Sequence, residues 1–169
     1  DDGINDEPIK VSVKIKIEGD GVAVDLTDSD PHAEGNTNST MANTHAAIYY
    51  VLIAIVDPDM PANSGCYRPI DVITKAGSVV DPILPGAVAA RTNCSQKIVE
   101  AMYKAFAPLT PDRVTAGSHG QITTCGFGGT DPNNGERFIY TEIQVGGNGA
   151  RPTKDGADGQ DGHLPRFMN

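Results

Sequence analysis

The stretch GGNGARPTKDGADGQDGH, residues 146–163, gathers six glycines around Asp155, Asp158, Asp161 and His163. Such a stretch could cradle a phosphate, ligate a metal ion, or form one wall of a cleft. The phosphate option fails on spacing. Neither GFGGTD (126–131) nor GGNGAR (146–151) fits G-x-G-x-x-G at the start of a helix, no GK[ST] occurs, and Pro152 discourages a helix after the second run. The aspartates recur every third residue, whereas a calcium loop of the EF-hand type wants ligands at alternate positions with glycine at the sixth. His163 could join carboxylates around a transition metal, but a solvated acidic loop gives the same pattern. A calcium-type site built on 155–163 therefore stays open as a separate class. His32, His45 and His119 show no HxH or HxxxH spacing and read as loop histidines.

Nucleophilic chemistry would need a thiol or hydroxyl beside a base. Cys66, in NSGCYRP, lies in a turn next to Arg68, whose charge would favour the thiolate. A lone cysteine is more often inert. Arg68, Arg91 and Arg151 are the more informative set, since all three lie in Gly/Pro-rich loops, where binding groups concentrate. A planar guanidinium suits a carboxylate or phosphate on a substrate or intermediate. A structural salt bridge is the competing role for each.

The elements that must position these groups follow from periodicity. KVSVKIKIEGDGVAVDL (10–26) alternates Val11, Val13, Ile15 and Ile17 with polar residues and then turns at Gly19-Asp20-Gly21, predicting a hairpin with one solvated face. AAIYYVLIAIV (46–56) is too short to span a membrane. With Asn43 or Thr44 as N-cap and Asp57-Pro58 as its stop it reads as a buried helix, although its Ile, Val and Tyr content keeps a strand open. YRPIDVI and GSVV read as short strands, with Pro69 confining the first to an edge or a strand start. Asn93 and Gln96 make a capping box for CSQKIVEAMYKAFAPL, in which Ile98, Met102, Ala105, Phe106 and Leu109 share a face, and Glu100 with Lys104 forms an i,i+4 pair. QITTCGF and RFIYTEIQV (137–145) return to strand, joined by the loop GGTDPNNGE. The second is apolar on both faces, which predicts a central position in its sheet. The fold class is α+β: a mainly antiparallel sheet with two packed helices and long Gly/Pro-rich loops.

Composition excludes some partners. A net charge of −9 without a Lys/Arg cluster argues against nucleic acid. Cys66, Cys94 and Cys125 are odd in number and form no CxxC, so reduced thiols in the cytoplasm are the expectation rather than a disulfide framework or zinc ribbon. Two sequons, at Asn38 and Asn93, are short enough to arise by chance. The chain opens DDGINDEP without Met or a signal-peptide pattern and stops at PRFMN, which reads as a portion of something longer or a processed product.

Six stretches taken in order carry a resemblance: VDL (24–26), GNTN (35–38), NSGCYRPIDV (63–72), DPILPGAVAARTN (81–93), PDRVTAG (111–117) and GGNGARPTKDGADG (146–159). Together they resemble the hydantoinase B/oxoprolinase family, which includes the larger subunits of ATP-dependent hydantoin and lactam hydrolases and of acetone and acetophenone carboxylases. The resemblance implies an internal-to-C-terminal portion of such a subunit, 1–169 forming a single domain or portion with 145–169 as a Gly/Asp-rich segment. It implies a hydantoinase A-like partner that holds ATP and Mg and phosphorylates the substrate oxygen, leaving the B-type subunit to support hydrolysis or carboxylation of a small carbonyl compound. A divalent metal is implied with ligands mainly outside this chain. By the same resemblance Arg68, Arg151, Asp155 and Asp158 are the catalytic candidates, and Asn63, Gly147 and Gly149 the substrate-binding ones. After VDL the family reads as a Thr/Gly/Thr-like turn, whereas this chain has Thr27-Asp28-Ser29. Hydrolysis of a cyclic amide, ketone carboxylation, and a non-catalytic interface module are the three functions the resemblance leaves in play.

Overall fold

The computed structural model describes residues 2–121, 123–144 and 146–159. The predicted hairpin forms as β1 (Lys14–Glu18) and β2 (Gly21–Asp25), with Ile15 opposite Val24 and Ile17 opposite Val22. Gly19 closes the turn at φ +58°, a conformation open to glycine at no steric penalty. β3 (Ile70–Ile73) then joins β2 in parallel, giving the order β1-β2-β3. A parallel neighbour requires a crossover. The crossover here holds helix α1 (Met41–Val56) and the single turn α2 (Ser64–Tyr67). Pro69 precedes β3 at the sheet edge, where a missing N–H does no harm.

Helix α1 starts earlier than the sequence suggests. Its N-cap is Thr40, whose hydroxyl accepts from the Asn43 N–H at 3.4 Å. Thr44 is instead fully buried in the first turn and donates to the Val80 carbonyl at 2.7 Å. At the other end Arg113 Nη1 donates to the carbonyls of Ile55 and Val56 at 2.5 and 3.0 Å, satisfying acceptors the helix leaves open.

The second long helix, α3 (Arg91–Phe106), also begins before its expected cap. Ala90 stands at the N-cap without a side-chain bond, and its N–H donates to the Asn36 carbonyl at 2.9 Å. Asn93 therefore lies inside the first turn and not at the N-cap, so it does not start the helix as expected, and Gln96 is fully buried. Glu100 pairs with Lys97 at 2.8 Å rather than with Lys104. Ala47, Ile48, Val51 and Ile55 of α1 pack against Ile98, Val99, Met102 and Phe106 of α3, and Val24 and Leu26 close the core from the sheet side.

GSVV forms no strand. Residues 76–81 make a turn with isolated bridges of Ser78 to Pro31 and Asp81, and Val79 and Val80 are buried in the core. A short apolar run here signals burial, not extension. Among the described residues a second sheet holds β4 (Thr123–Thr130) and β5 (Arg137–Gln144), paired antiparallel from Thr123↔Gln144 to Thr130↔Arg137. The sequence predicts β5 as central. Among the described residues it pairs with β4 alone, and Ile139 is 88% exposed. Apolar residues on both faces report a strand suited to burial but do not say which segment covers it; Val145, the expected last residue, lies outside the described residues. The architecture is thus α+β, and no helix among the described residues is long and apolar enough to cross a membrane.

Candidate functional site

The glycine-rich stretch leaves β5 and lies against residues 116–119. His119 N–H donates to the Gly147 carbonyl at 3.0 Å, Ala116 N–H to the Ala150 carbonyl at 2.9 Å, and Asn148 N–H to the Ala157 carbonyl at 2.9 Å. Three of its glycines have a steric reason. A Cβ at Gly146 would overlap the His119 side chain, one at Gly149 the Ala116 carbonyl, and one at Gly156 the Asn148 carbonyl. Backbone lies on backbone here, so the loop is a packed layer. At its tip Arg151 and Lys154 form an antiparallel bridge around Pro152-Thr153, with Arg151 N–H on the Lys154 carbonyl at 2.9 Å and the reverse bond at 3.3 Å. Arg151, Asp155 and Asp158 are exposed, and among the described residues none of them joins an ion pair. Asp161 and His163 lie outside the described residues.

The layer under this loop is fixed by one carboxylate. Glu100 Oε1 accepts from the Ser118 N–H at 3.1 Å and the Ser118 hydroxyl at 3.0 Å, while Oε2 holds Lys97 Nζ at 2.8 Å. Gly120, at φ +70°, lies so close to Lys97 that no Cβ would fit without moving the ammonium. Between α3, residues 115–117 and the N-terminal segment runs a cleft of about 550 Å³, with Ile9, Val11, Tyr103 and Lys104 among its walls. Burial raises the Tyr103 hydroxyl far above its ordinary range, with Tyr50 adding to the effect. Tyr103 is therefore a neutral wall of the cleft at physiological pH.

Asn63 and Arg68 occupy the two ends of α2. Asn63 Oδ1 caps the turn by accepting from Gly65 N–H at 2.8 Å, and its Nδ2 donates to the Pro61 carbonyl at 2.8 Å. Cys66 Sγ donates to the same carbonyl at 3.3 Å. Tyr67 stacks on Tyr49 with centroids 4.2 Å apart, and the Tyr49 hydroxyl lies 3.4 Å from His45 Nδ1. This ladder docks α2 on α1 and leaves Arg68 exposed, without an ion pair among the described residues. The sequence candidates thus fall into two groups, the loop 146–158 and the ends of α2, and among the described residues no hydrogen bond or ion pair joins them.

Two organising residues escape a reading of the sequence. Asn38, fully buried in GNTN, accepts from Ala33 N–H at 2.7 Å and donates to the carbonyls of Ala33, Gly35 and Ala87. It locks the loops 33–38 and 81–90 together. An asparagine in a polar loop reads as a turn former, and only its burial distinguishes it. In VDL, Asp25 Oδ1 accepts from the Thr27 hydroxyl at 2.7 Å and the Thr27 N–H at 2.8 Å, which lowers its pKa. Asp28 reaches outward to Lys14 at 2.5 Å. The buried thiol of Cys94 is pushed up to about 12, which removes it from nucleophilic chemistry. Among the described residues no group of three His, Cys, Asp or Glu side chains could hold a metal ion.

The fold is an α+β unit whose glycine-rich loop packs against residues 116–119 and exposes Arg151 and Lys154 at its tip. The chain belongs to the hydantoinase B/oxoprolinase family, whose pattern matches residues 1–169. It is 34% identical over 172 residues to the 5-oxoprolinase PfmaA of Pestalotiopsis fici, covering 100% of this chain and 13% of that protein. It is 32% identical over 168 residues to a protein of Pseudomonas sp. NS671 assigned as the B-type subunit of a D-/L-hydantoinase, covering 93% of this chain and 28% of that one. The ATP-dependent caprolactamase of Pseudomonas jessenii shares the fold at 25% identity and a TM-score of 0.73, over 88% of this chain and 26% of its own. An acetone carboxylase in its nucleotide-free state does so at 15% identity and 0.75, over 93% and 22%, a likeness of fold alone. The chain therefore spans between 13% and 28% of these proteins. It is an oxoprolinase/hydantoinase-type part from a family that contains enzymes.

Proposed function

We propose that the chain is part of an ATP-dependent cyclic-amide hydrolase, of the hydantoin, oxoproline or lactam type, working with a hydantoinase A-like subunit that binds ATP and Mg. In that reaction the partner transfers the terminal phosphoryl group of ATP to the amide oxygen. Water then adds to the activated carbon and the ring C–N bond breaks, leaving a free amine and an acyl phosphate, which a second water hydrolyses to carboxylate and phosphate. The overall balance is cyclic amide, ATP and two waters in, ring-opened amino acid, ADP and phosphate out. What the B-type portion supplies is positioning and charge stabilisation around the phosphorylated oxygen.

The observation that carries this reading is the exposed Arg151 guanidinium on a turn whose backbone is held at both strands, with no carboxylate neutralising it among the described residues. Arg68 is the second cation in the proposal. Asp155 and Asp158 follow the turn and take proton transfer or orientation of the water. Asn63 shapes α2 beside Arg68, and Gly147 and Gly149 let the loop backbone approach its neighbours and the substrate. The relatives that match this chain at about a third identity over the aligned residues carry oxoprolinase and hydantoinase names, which favours amide hydrolysis over ketone carboxylation.

The test is reconstitution of the full B-type subunit with its ATP-binding partner. Ring opening of a cyclic amide should require ATP and release ADP and phosphate, and Arg151→Ala should lower kcat at least about a hundredfold, as loss of a charge-stabilising donor does. Turnover untouched by Arg151→Ala removes the role given to Arg151. Bicarbonate-dependent carboxylation of a ketone in place of ring opening moves the assignment to the carboxylases.

A further inference from the structure

The turn at the tip of the glycine-rich loop sets two cations against each other. Arg151 and Lys154 exchange both backbone hydrogen bonds across the bridge, so they are directly opposed residues, whose Cβ atoms lie about 5.5 Å apart on one face. Like charges in that relationship destabilise the pairing. The chain keeps it nonetheless, and reinforces it. Pro152 fixes φ at the first corner position, and the strands behind the turn are bonded to residues 116–119 and to Ala157. Gly149 and Gly156 permit backbone contact at the base, and Gly146 makes room for the His119 side chain. Asp155 and Asp158 are close in sequence, yet among the described residues neither pairs with Arg151 or Lys154.

A rigid turn that holds two like charges on one face, both exposed and without a counter-ion among the described residues, is arranged for an anion from outside. We infer that Arg151 and Lys154 together form an oxyanion clamp whose ligand is a phosphoryl group. The guanidinium offers a planar pair of donors and the ammonium a compact charge with rotatable donors. Two cations match the charge of a phosphate, about −1.5 to −2 near neutral pH, better than the single charge of a carboxylate. The anion site stands on this geometry alone. Identifying its ligand with the phosphorylated amide oxygen of the reaction rests on the function proposed above, and it adds Lys154 as a second binding residue.

The probe is inorganic phosphate titrated into the full chain, followed by amide nitrogen and proton shifts, with sulfate and acetate as comparison anions. Shifts centred on residues 151–155 that saturate at millimolar phosphate, with acetate weaker, are expected. Arg151→Gln and Lys154→Gln should each weaken binding about tenfold, the loss of one charged hydrogen-bond partner, while Lys154→Arg retains it. Both side chains are exposed and their repulsion is relieved by either substitution, so circular dichroism should stay unchanged and the melting temperature should not fall, which separates loss of binding from loss of fold. The clamp is overturned if residues 151–155 do not respond, if acetate binds as well as phosphate, or if Lys154→Gln binds like the unaltered chain. In the reconstituted complex Lys154→Gln should raise KM or lower kcat for amide hydrolysis. A complex that hydrolyses no amide while phosphate still binds at 151–155 defeats the reaction proposed above and leaves the clamp standing. Amide hydrolysis that proceeds while phosphate ignores the turn defeats the clamp alone.

Discussion

Glu100 holds Ser118 twice, accepting from its backbone N–H at 3.1 Å and from its hydroxyl at 3.0 Å through the same oxygen. Those two bonds fasten the segment under the glycine-rich loop to helix α3. Glu100→Ala should therefore lower unfolding stability by about 1–3 kcal/mol, because it strands a partly buried donor. It should also speed amide exchange at Ala116 and His119, whose N–H groups carry the loop. Unchanged protection at those two amides would show that the loop is held by other means.

The glycines of the loop are not equivalent. At Gly149 a Cβ would run into the Ala116 carbonyl, whereas at Gly147 the nearest atom, the Ala157 carbonyl oxygen, is 3.4 Å away. Gly149→Ala should destabilise by about 1–3 kcal/mol, as overpacking does, and Gly147→Ala by clearly less. Urea denaturation of the two variants side by side reads the difference.

Asn38 bridges two loops 49 residues apart through its 2.9 Å bond to the Ala87 carbonyl. Asn38→Asp keeps the size but replaces the NH₂ donors by an acceptor, leaving three carbonyls facing a buried carboxylate. The expected loss exceeds about 2 kcal/mol, seen as a lower denaturation midpoint with an unchanged slope.

Asp2 gives a pH test near the N-terminus. Its carboxylate accepts from the N–H groups of Asn5, Gly35 and Ile4, which hold its pKa at about 2 against an ordinary 3.8. A depressed folded value means that the contact stabilises fully above pH 3.8 and is lost as pH falls towards 2. The Gly35 and Asn5 amide shifts should titrate with a midpoint near 2, and Asp2→Asn should abolish that step. A midpoint at the ordinary value would mean the anchor is not populated.

Thiol accessibility separates the three cysteines. Cys94 is buried with its pKa pushed up to about 12, while Cys66 and Cys125 are half-buried. A disulfide exchange reagent should modify Cys66 and Cys125 readily and Cys94 only on unfolding. Rapid modification of Cys94 in the native chain contradicts its place in the core.

What the sequence made legible was whatever depends on local period. Ile15 and Ile17 alternating with lysines announced β1, and the spacing of Ile98, Met102 and Phe106 announced α3, because a strand repeats every two residues and a helix every 3.6. Helix starts were less legible. Thr44 and Asn93 have the chemistry of caps, but Thr44 bonds Val80 and the α3 start is fastened through Ala90 to Asn36, contacts set by distant residues.

The sequence by itself determined the α+β class, the hairpin, the two long helices and the family, since periodic burial and six ordered loop motifs are properties of the chain read linearly. Only the tertiary structure decided that β3 runs parallel to β2, that β5 pairs with β4 alone among the described residues, and that Arg151 faces Lys154 across a turn. Strand direction, sheet partners and opposed charges depend on which segments meet in space. The energy of such meetings lies in backbone hydrogen bonds and steric contacts, which residue type encodes only weakly. GGNGARPTKDG shows this most directly: its glycines read as a phosphate cradle that fails on spacing, and the fold uses three of them to press backbone against its neighbours beneath an exposed pair of cations.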